Sequence, residues 1–187
     1  MPVDILRLAA FCAYLAAWVV FAVGTGLNAL PRVRAAGAMP RPILNAAVVA
    51  GTLLQIASAL IITFFLGDEP LRPSRFELAL ALAFAPMAAA LFIWTIRSAP
   101  RVSGRALVTG GAYAWLRHPM YLAFLGMLVA TGLLASNAPG LAAAVIAYVA
   151  GSELRIAAEE SELAQRFDSD YAQYRLRTRW RYLPGLR

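Results

Sequence analysis

Five stretches of this 187-residue chain stay apolar long enough to cross a bilayer as helices: residues 4 to 26, 43 to 66, 76 to 96, 119 to 135 and 138 to 156. A spanning helix needs about 20 mostly apolar residues, because hydrocarbon offers backbone amides no partner and the helix must pair them internally. The expected fold is therefore all-α: a polytopic membrane protein with about five transmembrane helices. The first stretch is too long for a signal peptide and shows no basic segment leading to a small-residue cleavage site, so it reads as a retained helix.

Only Ser136-Asn137-Ala138-Pro139-Gly140 joins the fourth and fifth stretches, short enough to force an antiparallel helical hairpin. The helical pattern then runs past the bilayer from Glu153 to Phe167. Such a hairpin sets the start of the fourth span beside the end of the fifth, so His118 and the Glu159-Glu160 pair are expected at one membrane face. Pro40 and Pro42 flank the start of the second span, where proline is tolerated. Pro86 falls in the middle of the third and is expected to bend it. The chain divides into an N-terminal three-helix membrane region, 1–96, and a region of loop, hairpin and helical tail, 97–187.

Composition sharpens this reading. With 61% hydrophobic and 14% charged residues, the chain is too apolar for a water-soluble domain of its size. All its basic residues are arginines, and the net charge is +7. Arg97, Arg101, Arg105 and Arg117 crowd the third connection and six more arginines lie in the tail, whereas Asp68 and Glu69 offset Arg72 and Arg75. By the positive-inside rule the N-terminus faces outward and the third connection and tail face the cytoplasm, the expected setting being a bacterial inner membrane. Because these arginines flank spans, anionic lipid headgroups rather than nucleic acid are the expected partner. One histidine and one cysteine, Cys12, cannot build a usual zinc site or an internal disulfide, so no metal is expected. No dinucleotide-binding glycine pattern, phosphate loop or nucleophile elbow is present.

Two segments carry candidate chemistry. The first is VTGGAYAWLRHPMY, residues 108 to 121, with the lone His118 just ahead of Pro119 in a cap-like position. Gly110 and Gly111 allow tight or positive-φ backbone, while Tyr113, Trp115 and Tyr121 with the exposed first-turn amides suit a ligand bearing a carboxylate and an aromatic base. The same residue types also make an ordinary interfacial belt. The second is RIAAEESEL, residues 155 to 163, where Arg155 and Glu159 stand four apart on one helix face and Glu160 and Glu162 point elsewhere. A plain intrahelical salt bridge is one account. Ligand duty for Arg155 and Glu159 is the other, favoured because carboxylates near a membrane-embedded helix end are costly without a partner. The tail alternates arginine with aromatic residues and reads as an amphipathic segment on the headgroups, placed to close over a cytoplasmic pocket.

Taken in order, LVTGGAYAWLRHPMYLAFLG and RIAAEESELAQRFDSDYAQYRLRTRWRYLPGL resemble the integral-membrane methyltransferases of the isoprenylcysteine carboxyl methyltransferase and phospholipid methyltransferase superfamily. The resemblance covers about residues 105 to 186. It implies S-adenosylmethionine as cofactor, held by His118, Tyr121, Tyr113, Glu159 and the backbone around Leu107 and Val108. It implies further that Arg155 addresses the acceptor, so that Arg155 and Glu159 are the expected catalytic residues. The implied acceptor is a membrane lipid or lipidated small molecule, carrying an isoprenylcysteine-type carboxylate or a headgroup amine. Two departures stand out: Asp168 replaces the glycine that commonly follows the phenylalanine, and SAPRVSGR lacks the glutamine of carboxyl methyltransferase relatives. Competing readings are a membrane reductase using NADPH and a non-catalytic membrane scaffold or carrier.

Overall fold

The computed structural model describes residues 5, 8–10, 12–14, 16, 41–64, 72–98, 107–183 and 185. Four helices stand out: α1 (Arg41–Phe64), α2 (Arg75–Ser98), α3 (Pro119–Ala135) and α4 (Ala138–Arg177), with a single 3-10 turn at Gly111–Ala114 ahead of α3. Among the described residues there is no strand. Those described in the first apolar stretch are helical; the rest of it, the Asp68-Glu69 connection, Arg101 and Arg105 lie outside the described residues.

Helices α1, α2 and α4 are long and apolar enough to cross a membrane, and α3 is a shorter apolar helix of 17 residues. At 1.5 Å per residue the straight limb of α4 ahead of Asp168 extends about 45 Å, well beyond the roughly 30 Å hydrocarbon thickness. Its apolar run ends near residue 156, so the acidic and arginine-rich half projects beyond the bilayer.

Helix α1 shows how these segments partition. Val49, Leu53, Ile56 and Leu60 form one exposed stripe, while Gly51, Gln55, Ser58 and Ala59 are buried. Large apolar side chains face lipid and small or polar ones face protein, as expected where hydrocarbon removes the usual drive to bury leucine.

The helices pack in two pairs, α1 along α4 and α2 along α3, joined by the α3–α4 hairpin. The hairpin forms as its sequence dictates. Ser136 ends α3 in the left-handed conformation (φ 54°), the Asn137 side chain accepts from the Gly140 amide at 2.8 Å, and Pro139 occupies the first turn of α4. Ser74 and Glu77 cap α2 reciprocally, and the Ser136 hydroxyl donates to Glu77 at 3.1 Å, tying the turn to the start of α2. Helix α2 runs on through Pro86 to Ser98.

A second feature shapes the far end. Within α4, Asp168 has φ 36° and ψ −110°, which divides the helix into two limbs. The short second limb carries Tyr171 and Tyr174, both buried, and the Tyr174 hydroxyl donates to the Tyr113 carbonyl at 2.7 Å. The break thus folds the tail back onto the loop that precedes α3.

Candidate active site

The loop ahead of α3 is held from two sides. Gly111 adopts φ +60°, and a Cβ there would collide with Ser98, whose hydroxyl accepts the Ala112 amide at 3.2 Å. The Arg117 and His118 amides donate to the Trp180 and Arg181 carbonyls at 3.0 and 2.8 Å, so the extended tail is strapped across the start of α3. His118 occupies the N-cap position, with Pro119 next, but its side chain makes no capping bond. The imidazole is instead committed to α4.

There it lies between two carboxylates: Nδ1 is 3.4 Å from Glu159 Oε2 and Nε2 is 3.4 Å from Glu160 Oε1. On the outer side, Arg155 donates from Nε to the Tyr121 hydroxyl at 3.1 Å, from Nη2 to Glu159 at 3.3 Å and from Nη1 to Thr52 Oγ1 at 3.0 Å. The Tyr121 hydroxyl in turn donates to Glu159 at 2.5 Å, and its carbonyl accepts from Tyr148. On the inner side, Arg117 Nε contacts Glu160 at 2.8 Å while its Nη1 donates to the Thr178 and Arg179 carbonyls. Arg181 bridges Glu160 at 3.5 Å and Glu153 at 2.9 Å. The His118 and Tyr182 rings flank Tyr121 at 5.8 and 6.4 Å.

The two acids differ in access. Glu160 is sealed, whereas the Glu159 side chain keeps 32% of its surface exposed and remains open to a ligand. These groups sit beyond the apolar spans, and their protonation follows from their neighbours. Burial pushes the Glu160 carboxyl up, but His118 and Arg117 outweigh it and hold it down to about 2. Burial likewise raises Glu159, yet His118 and Arg155 leave it below the usual carboxylate range. For His118, burial favours the neutral ring; the two carboxylates win and its pKa rises above 6.5. Tyr113 is pushed up to about 12, by burial first and then by the charge of Glu159.

Of the residues expected from sequence, His118, Tyr121, Arg155 and Glu159 form one connected cluster, with Tyr113 close enough to sense Glu159. Leu107 and Val108 are partly buried at the start of the described loop, and among the described residues no hydrogen bond or ion pair links them to the cluster. Glu160 does not point elsewhere. His118 lies between the α4 faces of both acids, and Glu160 becomes the anchor for Arg117 and Arg181. Sequence reasoning also missed Arg117, Arg181, Tyr182 and Thr52. Arg117 and Arg181 were legible only as members of basic clusters, and Thr52 carried no signal.

The fold and the cluster define a polytopic helical membrane protein with an ionised His-Glu-Arg site at one end of its bundle. A family model described as the isoprenylcysteine carboxyl methyltransferase (ICMT) family matches residues 76–165. The match covers just under half of the chain, from the first turn of α2 through α3 to the site residues of α4, and marks that part as similar to the family. A relative from Saccharomyces cerevisiae (strain ATCC 204508 / S288c), Protein-S-isoprenylcysteine O-methyltransferase, is 34% identical over 73 residues. The match covers 39% of this chain and spans 30% of the yeast protein's length.

Proposed function

We propose that this protein transfers a methyl group from S-adenosylmethionine to a membrane-resident amphiphile bearing an isoprenylcysteine-type carboxylate. The observation that carries the reading is the convergence of His118, Tyr121 and Glu159 with Arg155 at the end of the α3–α4 hairpin. The donor set fits a cationic cofactor: an accessible carboxylate at Glu159, a partly exposed aromatic ring at Tyr113, and a buried His118 Nε2 that makes no close hydrogen bond. His118, Tyr121, Tyr113, Glu159 and the backbone near Leu107 and Val108 would hold the cofactor, which supplies an activated methyl when bound.

The chain's own task is then to orient and exclude. The Arg155 guanidinium matches a carboxylate in geometry and charge. A carboxylate is already nucleophilic and requires no base, so alignment and exclusion of water do most of the work. A headgroup amine must first lose a proton. The two acids beside His118 raise its pKa and so favour the protonated ring, which makes it a poorer base for that proton and favours the carboxylate.

The acceptor would enter from the bilayer, with its polar end in the cytoplasmic half. Trp115 and Leu176 are exposed on adjoining loop and tail, and with Arg175, Arg177 and Arg179 they suit anionic headgroups at that face.

Labelled methyl transfer into the lipid extract of expressing cells, with mass spectrometry of the product, tests the reading. A labelled carboxyl ester is expected. NADPH oxidation with no methyl transfer would favour the reductase, and no turnover of either kind would favour the carrier. In calorimetry, His118→Ala and Glu159→Ala are expected to weaken S-adenosylmethionine binding at least tenfold, since each removes a charged contact worth about 1.5–3 kcal/mol. Wild-type affinity in both, with the fold intact, would remove these residues from the cofactor site.

A further inference from the structure

We infer that Thr52, on a helix outside the family match, is a positioning residue for Arg155 and so helps set affinity for the acceptor. The inference rests on the proposed role of Arg155.

The contact depends on an unusually close helix crossing. A Cβ at Gly51 would lie 2.6 Å from the Gly151 carbonyl oxygen and 2.7 Å from Arg155 Cγ, and one at Gly151 would lie 2.6 Å from the Gly51 carbonyl. With neither glycine bearing a side chain, α1 presses onto α4 one turn before Arg155, and Thr52, next in sequence, comes within reach of the guanidinium. The Thr52 hydroxyl donates to the Val48 carbonyl at 2.7 Å, which commits its hydrogen and leaves a lone pair for Arg155 Nη1 at 3.0 Å. Threonine suits this task because back-bonding to the preceding turn holds its rotamer.

The guanidinium plane is therefore fixed from three helices: Nη1 from α1, Nε by Tyr121 of α3 and Nη2 by Glu159 of α4. The contact from α1 has a distinct consequence. Glu159 is an internal carboxylate that competes for the same guanidinium as an incoming acceptor carboxylate. Anchoring Nη1 on Thr52 keeps Arg155 from turning fully onto Glu159, and so fixes the guanidinium plane that the acceptor carboxylate would meet.

The test uses the full-length protein in lipid nanodiscs, with N-acetyl-S-farnesylcysteine as the methyl acceptor. Thr52→Val keeps the shape and removes the hydroxyl; it is expected to raise the KM for the acceptor about tenfold, the size of a lost hydrogen bond to a charged group. The KM for S-adenosylmethionine should stay within about twofold, and Thr52→Ser should restore the acceptor KM. A merely structural role would shift both KM values together and would not be rescued by serine, and either that pattern or an unchanged acceptor KM in Thr52→Val overturns the inference. Failure of the wild type to methylate the probe is a separate result: it overturns the carboxylate reading, and this inference with it.

Discussion

The two helix seams of this molecule are built on different principles. Between α2 and α3 the contacts are apolar: Phe92 meets Phe124 edge-on at 5.6 Å, and Ala88 packs over Gly126. Between α1 and α4 the backbones touch at Gly51 and Gly151, and polar groups bridge what remains. Gln55, fully buried, donates to Ser152 at 3.0 Å, and Thr52 reaches Arg155. Small residues let helices approach in lipid, and a close approach brings side-chain hydrogen bonds into range. The apolar seam supplies shape. The polar seam also transmits position, because it ends on the guanidinium that the proposed chemistry requires.

Away from both seams, Glu160 of α4 anchors Arg117 just ahead of α3 and Arg181 of the tail, and its loss should be the most damaging change. Glu160→Ala strands Arg117, buried with its remaining bonds to carbonyls, and should cost about 3–5 kcal/mol of stability, the usual penalty for an uncompensated buried charge. Denaturant unfolding in micelles measures this. A loss below about 1 kcal/mol would mean that the Glu160 cluster does not tie the start of α3 and the tail to α4.

Protonation should act on the same cluster. The Glu160 pKa is depressed to about 2, so its contribution is complete above its ordinary value of 4.5 and is lost as pH falls toward 2. His118 has the opposite sign: its pKa is raised, so its contribution is complete below 6.5 and is lost as pH rises through its folded value. Stability should therefore peak between about pH 4.5 and 6.5, with the alkaline decline reduced in His118→Gln. A decline on the alkaline side that is identical in this variant would detach it from the imidazole.

The seams themselves can be contrasted by adding one methyl group to each. In Gly151→Ala the new carbon meets the Gly51 carbonyl at 2.6 Å, Leu54 Cβ at 3.0 Å and Gln55 Cγ at 3.1 Å, so a whole helix must yield. In Gly126→Ala it meets only the Ala88 methyl at 2.9 Å, with the next atom at 3.8 Å. Overpacking costs about 1–3 kcal/mol, and alanine returns up to about 1 kcal/mol of helix propensity. The expected net losses are about 2 kcal/mol for the first and about 1 kcal/mol for the second, where the Ala88 methyl can move only with its backbone but is the one atom in the way. Equal losses would erase the distinction.

The smallest expected change is a gain. Asp168 holds a positive φ that an L-residue rarely adopts, at an exposed position where glycine would carry no such strain. Asp168→Gly should stabilise the protein by about 1 kcal/mol, as relief of backbone strain outweighs the added freedom of the unfolded chain. A lowered melting temperature would show that the aspartate contributes more than the strain it bears.

Much of this was legible along the chain. The spans follow from hydropathy, the hairpin from Ser136 to Gly140, and the meeting of His118 with the acidic pair from the hairpin's length. The departure at Asp168 was visible too, though not its consequence, since a dihedral angle cannot be read from composition. Glu160 was misplaced because helix periodicity assigns it a face relative to Arg155 but does not say where His118 will stand. Thr52 was missed for a different reason: with Gln55 and Ser58 it marks a polar face on α1, but periodicity does not say which helix meets that face, and a lone threonine there has no motif to give it weight.

Local chemistry along the chain thus determined which segments enter lipid, where they turn back and which residue types gather near the membrane face. These properties depend on hydropathy, turn geometry and chain length, each of which acts over a few residues. Only the tertiary structure decided that α1 belongs against α4, that the tail is strapped to the amides of Arg117 and His118, and that Arg155 is held from three helices. Apart from the Arg155–Glu159 bond within α4, those contacts join residues from 34 to 103 positions apart. They depend on how far each helix rotates and how closely its backbone can approach another, which packing fixes once the whole bundle has assembled.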